Sequence, residues 1–159
     1  MKTFNQEQNE TLVQGVKYLL TAVGDDPERT GLLETPERVI KAHAEIYAHT
    51  GETTFKDYKL FDTTDDADMV IVEDIPFYAM CEHHLLPFFG TIDVAYVPDG
   101  EVIGLSKIPR LVDWASRRPS VQENLTALIA DQMQRIVHPK GLAVNVTARH
   151  MCMEMRGIN

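Results

Sequence analysis

The first part of the chain carries a helical pattern of hydrophobic positions. Apolar residues recur every three or four positions between residues 7 and 23, and the polar stretch at residues 24–27 ends the run. A second helix is predicted from Thr35, which can cap it, with Pro36 in its first turn, to about His49. The pattern therefore indicates an N-terminal segment of amphipathic helices.

Beyond residue 68 the hydrophobic pattern changes to that of strands. Four strands are predicted, over residues 69–75, 90–97, 102–105 and 142–150. The turn at residues 98–100 is expected to join the second and third strands as a hairpin. Two helices, one over residues 108–117 and one that begins after Pro119 and runs to about Val137, precede the last strand. This order predicts an α+β fold, with N-terminal helices followed by an antiparallel sheet that has two helices packed on one face.

The acidic, Thr-rich stretch from residue 62 to residue 68 reads as a solvated loop between these two parts. We therefore predict a helical segment over residues 1–62 and a sheet domain over residues 63–159. A chain of 159 residues, 44% of them hydrophobic, is long enough for one compact domain with a core.

Composition narrows the classes of protein that the chain can represent. A formal net charge of −9 argues against general nucleic-acid binding, which needs a basic surface. No apolar run approaches the roughly 20 residues of a membrane span. The polar N-terminus lacks a secretory signal, so a cytoplasmic location is expected. In that reducing compartment the two cysteines are expected to be buried, catalytic or metal-bound.

Two clusters contain residues typical of metal ligands. Cys81, His83 and His84 lie within four positions, and His150 and Cys152 lie two apart at the end of a predicted strand, where alternation directs both side chains to one face. A Cys-x-x-His pair with one distant cysteine suits Zn²⁺ and leaves a fourth position for water. Two alternatives stay open: the cysteines are merely buried, or His83 or His150 completes a four-ligand structural site.

A second candidate site lies where the third strand gives way to a helix. Backbone amides at a helix start, together with Ser106, Lys107 and Arg110, are typical of a phosphate site, although the pattern alone slightly favours a solvated helix start. Further along, Ser120 and Glu123 match a capping box, so the pattern assigns Glu123 a capping role.

Taken together, these motifs resemble the GTP cyclohydrolase I family. The motifs that carry the resemblance are Cys81-Glu82-His83-His84, the run from Gly104 to Arg110, the run from Arg118 to Glu123, and His150-Met151-Cys152. The resemblance extends from about Leu12 to Gly157. It implies the tunnelling fold in the sheet domain and a homo-oligomer of two face-to-face pentamers, with active sites between subunits.

The resemblance also implies the chemistry. Zinc would be bound by Cys81, His84 and Cys152, and its water would attack C8 of the guanine ring of GTP. His83 and His150 would transfer protons during ring opening and loss of formate, with Ser106 near the sugar. The implied product is 7,8-dihydroneopterin triphosphate, and the implied reaction is a hydrolysis in one-carbon metabolism, the first step of tetrahydrofolate or pterin biosynthesis.

Substrate recognition is implied by the same likeness. Gln122 and Glu123 match the guanine-recognising pair, which replaces the capping role inferred for Glu123 from the pattern. Lys107, Arg110 and Arg156 match triphosphate-binding positions. Arg38 is expected to reach in from a neighbouring subunit. A net-acidic protein can bind GTP in this way because several cations converge on the phosphates.

Two features depart from the family pattern. Relatives continue past the residues that match Arg156 and Gly157 into another strand, and Glu154 adds negative charge near the expected phosphate site. Either the sequence given omits that strand or the protein lacks it, and its loss would be expected to impair ring assembly and hence activity. The alternative function is then a zinc-stabilised, non-catalytic assembly module. A nitrile-reducing relative of the same fold, which uses a nucleophilic cysteine and no zinc, is a further alternative whose signature the sequence lacks.

Overall fold

The structure is a computed structural model that describes residues 3–64 and 68–157. It contains two compact units, Met1–Ala48 and His49–Asn159. This division falls earlier than the boundary predicted after residue 62, because residues 49–62 belong to the second unit. Phe55 lies in the core of that unit and Leu60–Asp62 forms one of its strands. Residues 65–67 of the predicted loop lie outside the described residues.

The first unit consists of the two predicted helices, α1 (Gln6–Ala22) and α2 (Thr35–Ile46). Asn5 caps α1 through a complete capping box, since its side chain accepts from the Gln8 N–H and the Gln8 side chain accepts from the Asn5 N–H. Thr35 is the first helical residue of α2 rather than its cap. Within the described chain α1 has no fully buried residue: Val16 and Leu20 are half-buried, whereas Leu19 is 62% exposed.

The second unit contains a mixed sheet with helices. Its described elements are, in chain order, β1 (Leu60–Asp62), β2 (Val70–Cys81), β3 (Pro87–Val97), β4 (Glu101–Ile103), α3 (Lys107–Ser116), β5 (Pro119–Ser120), α4 (Gln122–Val137), β6 (Gly141–His150) and α5 (Met151–Glu154). The main sheet has the order β5-β2-β3-β6. The pairs β2-β3 and β3-β6 are antiparallel, whereas β5 is parallel to β2. The predicted α+β class is confirmed.

The hairpin predicted between the second and third strands is wrong. β4 pairs antiparallel with β1 and not with β3, and Leu60 lies opposite Ile103. A strand has only two edges for hydrogen bonding, and β2 and β6 occupy both edges of β3. β4 must therefore find its partner elsewhere. The Tyr96 hydroxyl of β3 still contacts β4, because it accepts a hydrogen bond of 3.3 Å from the Ile103 N–H.

The strand predicted over residues 69–75 continues much further, to Cys81. A bulge between Val72 and Ile75 interrupts its register, with Asp74 at φ +55° and its N–H bonded to Asp93 Oδ1 at 2.9 Å. After the bulge at Asp74, buried and exposed side chains alternate again, and the strand continues through Pro76. The continuation matters because it carries Cys81 to the end of the sheet.

The core lies between the sheet and the helices α3 and α4. Its fully buried residues include Ile92 and Val94 of β3 and, from the helices, Leu111, Leu125 and Ile129. These residues form one hydrophobic cluster. Through it the two helices pack on the face of the sheet to which the even-numbered residues of β3 point.

A close backbone approach joins β3 to β6. A Cβ atom on Gly90 would lie 1.9 Å from the Thr147 carbonyl oxygen, far closer than real Cβ contacts. The absence of a side chain at Gly90 is therefore a condition for this strand pairing. The same pairing sets Phe88 opposite His150.

Candidate metal and phosphate sites

The ends of two strands bring the distant cysteines together. Cys81 is the last residue of β2, and Cys152 lies two residues after the end of β6, in the single turn of α5. The predicted strand alternation from His150 to Cys152 does not apply, because the chain turns helical at Met151. Both thiols are buried, with exposed fractions of 6% and 7%.

We call Cys81, His84 and Cys152 the thiol cluster. One ligand atom from each lies within 4.8 Å of the others, and Cys81 Sγ is 3.9 Å from His84 Nδ1. Ligand atoms around one tetrahedral zinc lie about 3.5–3.8 Å apart, given Zn–S and Zn–N bonds of about 2.3 and 2.0 Å. Two sulfurs and one imidazole at this spacing therefore fit a zinc ion.

A tight turn shapes the loop that follows Cys81. The Leu85 N–H donates to the Cys81 carbonyl at 2.8 Å, and Leu85 adopts a left-handed φ of +52°. The turn presents both histidines of the predicted motif, and His83 Nδ1 lies 4.0 Å from Cys81 Sγ. The His83 side chain is 64% exposed, so it borders the cluster from the solvent side.

The surroundings of the thiol cluster set its protonation and its charge. Burial, followed by the hydrogen bond with Cys81, raises the pKa of the Cys152 thiol above its usual 9.0. A bound cation would favour the thiolates instead. Arg156 NH1 donates to His84 Nε2 at 2.9 Å, so one predicted triphosphate residue lies directly beside a predicted metal ligand.

His150 is held on two sides. Its ring is parallel to that of Phe88, with an angle of 1° and a centroid separation of 5.2 Å. Its Nε2 lies 2.9 Å from Gln122 Oε1, while the Gln122 amide nitrogen donates to the Val146 carbonyl at 3.0 Å. Because the Gln122 oxygen must then accept, His150 Nε2 carries the proton and its Nδ1 is the acceptor of the neutral ring.

A short parallel strand places Gln122 next to His150. β5 pairs with the end of β2, and the Glu82 N–H donates to the Ser120 carbonyl at 2.9 Å. Helix α4 then begins at Gln122 with Val121 as its cap residue. The predicted capping role of Ser120 is wrong, because its hydroxyl donates to the Val121 carbonyl and no side chain caps this described helix start. Glu123 is exposed in the first turn of α4.

Lys107 and Arg110, which we call the cation pair, lie in the first turn of α3. They share one carboxylate: Lys107 Nζ is 2.5 Å from Asp57 Oδ1, and Arg110 NH1 is 2.9 Å from Asp57 Oδ2. Hydrogen bonds, first from Lys107 and then from Arg110, lower the pKa of Asp57 below its usual 3.8. Ser106 is the exposed cap residue of α3 and its side chain makes no capping bond in the described structure.

Sequence reasoning missed Asp57. It lies 50 residues before Lys107 in a stretch with no motif, and only the fold brings the two together. Glu154, whose charge had no explanation in the sequence, forms a two-bond ion pair with Arg149. Arg38, in the first unit, pairs with Glu34, the residue that precedes its own helix α2.

The structure thus groups the predicted site residues into three local sets in the second unit. The sets are the thiol cluster with His83 and Arg156, the pair His150 and Gln122, and the cation pair with Asp57. In residues 3–64 and 68–157, no helix has the length and apolar character needed to cross a bilayer.

A family model described as GTP cyclohydrolase I matches residues 12–159. The chain belongs to the GTP cyclohydrolase I family. This confirms the resemblance inferred from the motifs and the enzyme class that it implied. The observed α+β architecture agrees with the tunnelling fold of GTP cyclohydrolase I.

Individual relatives agree with the family match. The chain is 60% identical over 156 residues to GTP cyclohydrolase 1 of Latilactobacillus sakei subsp. sakei (strain 23K), with 96% of this chain and 82% of the relative covered. It is 57% identical to GTP cyclohydrolase 1 of Lactiplantibacillus plantarum, with the same coverage of both chains. It is also 57% identical to the bifunctional protein FolKE of Lactococcus lactis subsp. cremoris, covering 91% of this chain and 42% of that protein.

Proposed function

We propose that the protein is a zinc-dependent GTP cyclohydrolase I, which hydrolyses the guanine imidazole ring of GTP to formate and 7,8-dihydroneopterin triphosphate. The observation that carries the proposal is the thiol cluster, three soft or borderline ligand atoms within 4.8 Å of one another in a member of this family. A bound zinc supplies Lewis acidity and lowers the pKa of coordinated water toward neutrality.

His150 and His83 are the proposed proton carriers. His150 Nε2 is committed to Gln122, so its Nδ1 is the atom that accepts a proton and returns it to the leaving nitrogen. His83, largely exposed beside Cys81, has room to contact a substrate entering from solvent. Gln122 acts as a positioning residue for His150, and its oxygen keeps a second lone pair for a substrate donor.

Guanine recognition is assigned to Glu123 together with Gln122. The Glu123 carboxylate is exposed at the start of α4 and can accept the N1 and exocyclic amino protons of guanine, a contact that adenine cannot reproduce. Ser106 is assigned to the sugar. We expect ATP to be rejected strongly, because it would leave this carboxylate without a hydrogen-bond partner.

The triphosphate is assigned to four cations. Lys107, Arg110 and Arg156 come from the second unit, and Arg38 is proposed to come from a neighbouring subunit of a decamer of two pentamers. Phosphate binding by guanidinium and ammonium groups is the strong, charge-assisted kind. A sedimentation measurement tests the assembly, and a monomer that still turns over GTP would contradict the assignment of Arg38.

The reaction itself is tested by incubating the purified, zinc-loaded protein with GTP and following formate release and the fluorescence of the oxidised pterin. We expect both products with GTP and neither with ATP. A matched pair, Glu123→Gln and Asp131→Asn, separates loss of guanine recognition from a general effect of charge, because each variant removes one exposed carboxylate charge from α4. A protein that holds zinc yet releases no formate would contradict the proposal and favour the assembly module.

A further inference from the structure

We propose that Asp57 is an internal competitor for the substrate's phosphates, occupying the cation pair in the free protein and leaving it when a triphosphate binds. This rests on the proposed function, which assigns Lys107 and Arg110 to the triphosphate. Asp57 belongs to none of the motifs that the family likeness rests on. Its role follows from its position in the structure.

The geometry is that of a bridging anion. Asp57 gives one carboxylate oxygen to Lys107 and the other to Arg110, at 2.5 and 2.9 Å, as two oxygens of one phosphate group would do. An incoming phosphate that uses both cations must therefore replace both contacts. Ligand and carboxylate cannot occupy the same donors together.

The segment that contains Asp57 is anchored to the core, and this anchoring places the carboxylate beside the cation pair. Two residues before Asp57, the Phe55 side chain is 3% exposed in the core, its N–H donates to Gln132 Oε1 at 3.0 Å, and its carbonyl accepts from Arg135 at 2.8 Å. This anchoring holds Asp57 close to α3 and gives it a high effective concentration there. The proximity of Asp57 to the cation pair is thus a fixed feature of the fold, while the ion pairs themselves can break.

Displacement is nevertheless easy. The side chain of Asp57 is 56% exposed and that of Arg110 is 58% exposed, although that of Lys107 is only 20% exposed. Water therefore reaches the carboxylate, and ion pairs of exposed groups contribute little net stability. Because its pKa lies below 3.8, Asp57 is ionised at every physiological pH. It therefore competes constantly and does not act as a pH switch.

The competition has a kinetic purpose. In the proposed reaction the triphosphate is present in both substrate and product, so its contacts bind both equally and add nothing to the chemical step. A carboxylate that returns to the cation pair lowers affinity for both and hastens product release. Removing it should lower KM for GTP, with kcat unchanged or reduced.

The test uses the only tryptophan of the chain as a reporter. Trp114, Asp57 and Arg110 line one cavity of about 740 Å³, so binding of inorganic tripolyphosphate to the cation pair should change the Trp114 emission. Asp57→Asn is expected to bind tripolyphosphate roughly three- to tenfold more tightly than the unaltered protein. Thermal unfolding of each variant verifies that it is folded.

Asp113→Asn is the matched control. Asp113 lines the same cavity and pairs with Arg117 at 2.8 Å, so this variant makes the same change in net charge without freeing the cation pair. Its affinity for tripolyphosphate is expected to change less than about twofold, in proportion to a screened surface charge. Equal tightening in both variants would overturn the competitor role and leave only a general electrostatic effect.

Two further results separate this inference from the proposed function. If the unaltered protein releases formate from GTP but Asp57→Asn binds tripolyphosphate no more tightly, or more weakly, the inference is overturned and the function stands. If Asp57→Asn tightens binding while neither protein releases formate, the competition is supported and the proposed reaction fails.

Discussion

The thiol cluster and the cation pair differ in what holds their side chains in place. One thiol lies at the end of β2 and the other just beyond the end of β6, and both are short and buried and need only small adjustments to meet one ion. Lys107 and Arg110 are long, partly exposed side chains whose positions are set by a carboxylate from a distant segment. The thiol cluster is thus preformed by the sheet, whereas the cation pair is held by an interaction that the proposed phosphate ligand would have to replace.

The largest effect is expected from breaking the thiol cluster itself. Cys152→Ala removes one of three ligands and should weaken zinc binding by more than about a hundredfold, since loss of an outer partner alone costs 10–100-fold. Measurement of zinc after dialysis checks this. His83→Ala, which leaves the cluster complete, should keep zinc and lose turnover; zinc loss in both variants would contradict the separate roles.

The second-largest effect is expected from a change in the pairing of β3 with β6, the strands next to the thiol cluster. Gly90→Ala would drive a methyl group into the Thr147 carbonyl and should lower the free energy of unfolding by at least about 1–3 kcal/mol, as overpacking does. Urea unfolding measures it. The control is Gly15→Ala in α1, where nothing lies within 4 Å and the helix should gain up to about 1 kcal/mol. Equal behaviour of the two variants would contradict the close strand approach.

A third prediction concerns the segment that carries Asp57 to the cation pair. Gln132→Ala leaves the Phe55 N–H without its acceptor and should destabilise the fold by about 1–3 kcal/mol. Hydrogen exchange should increase at residues 53–57 while zinc content stays the same. Gln134→Ala, on the exposed side of α4, is the control. Loss of zinc on removing Gln132 would show that the two regions are not independent.

The smallest effect concerns Glu52, which accepts from the Trp114 indole at 2.7 Å. That bond is the main reason why the pKa of Glu52 lies below its usual 4.5. A lowered folded-state pKa means that the contact is complete above pH 4.5 and is lost as pH falls further. The Trp114 emission should therefore change as the pH falls below 4.5, and Glu52→Gln should remove that change. The same change below pH 4.5 in Glu52→Gln would contradict the assigned hydrogen bond.

The two regions also differ in how well the sequence predicted them. Cys81 and His84 are close in the chain, and their spacing limits how they can be arranged, so their grouping could be predicted directly. Asp57 has no such neighbour, since its contacts with Lys107 and Arg110 depend on segments 50 or more residues apart. The spacing of residues along the chain thus predicts clusters of metal-ligand residue types well, whereas it does not predict ion pairs between distant segments.

The fold shows the same limit. Periodicity located α1 and α4, because one helix face repeats along the chain. The pairing of β4 with β1 could not be read in this way, since it depends on β6 having taken the free edge of β3. The length of β2 was hidden by the bulge at Asp74, where the alternation breaks and then resumes.

The parallel packing of His150 on Phe88 has a consequence for entropy. A histidine on an open surface samples several orientations, and ordering it when a ligand arrives reduces the free energy available for binding. Here the ring is flat against Phe88 and its Nε2 is bonded to Gln122, so the orientation is already selected. The entropy cost of ordering this side chain is therefore incurred when the chain folds and not when a ligand binds. A ligand meets an imidazole that is already aligned.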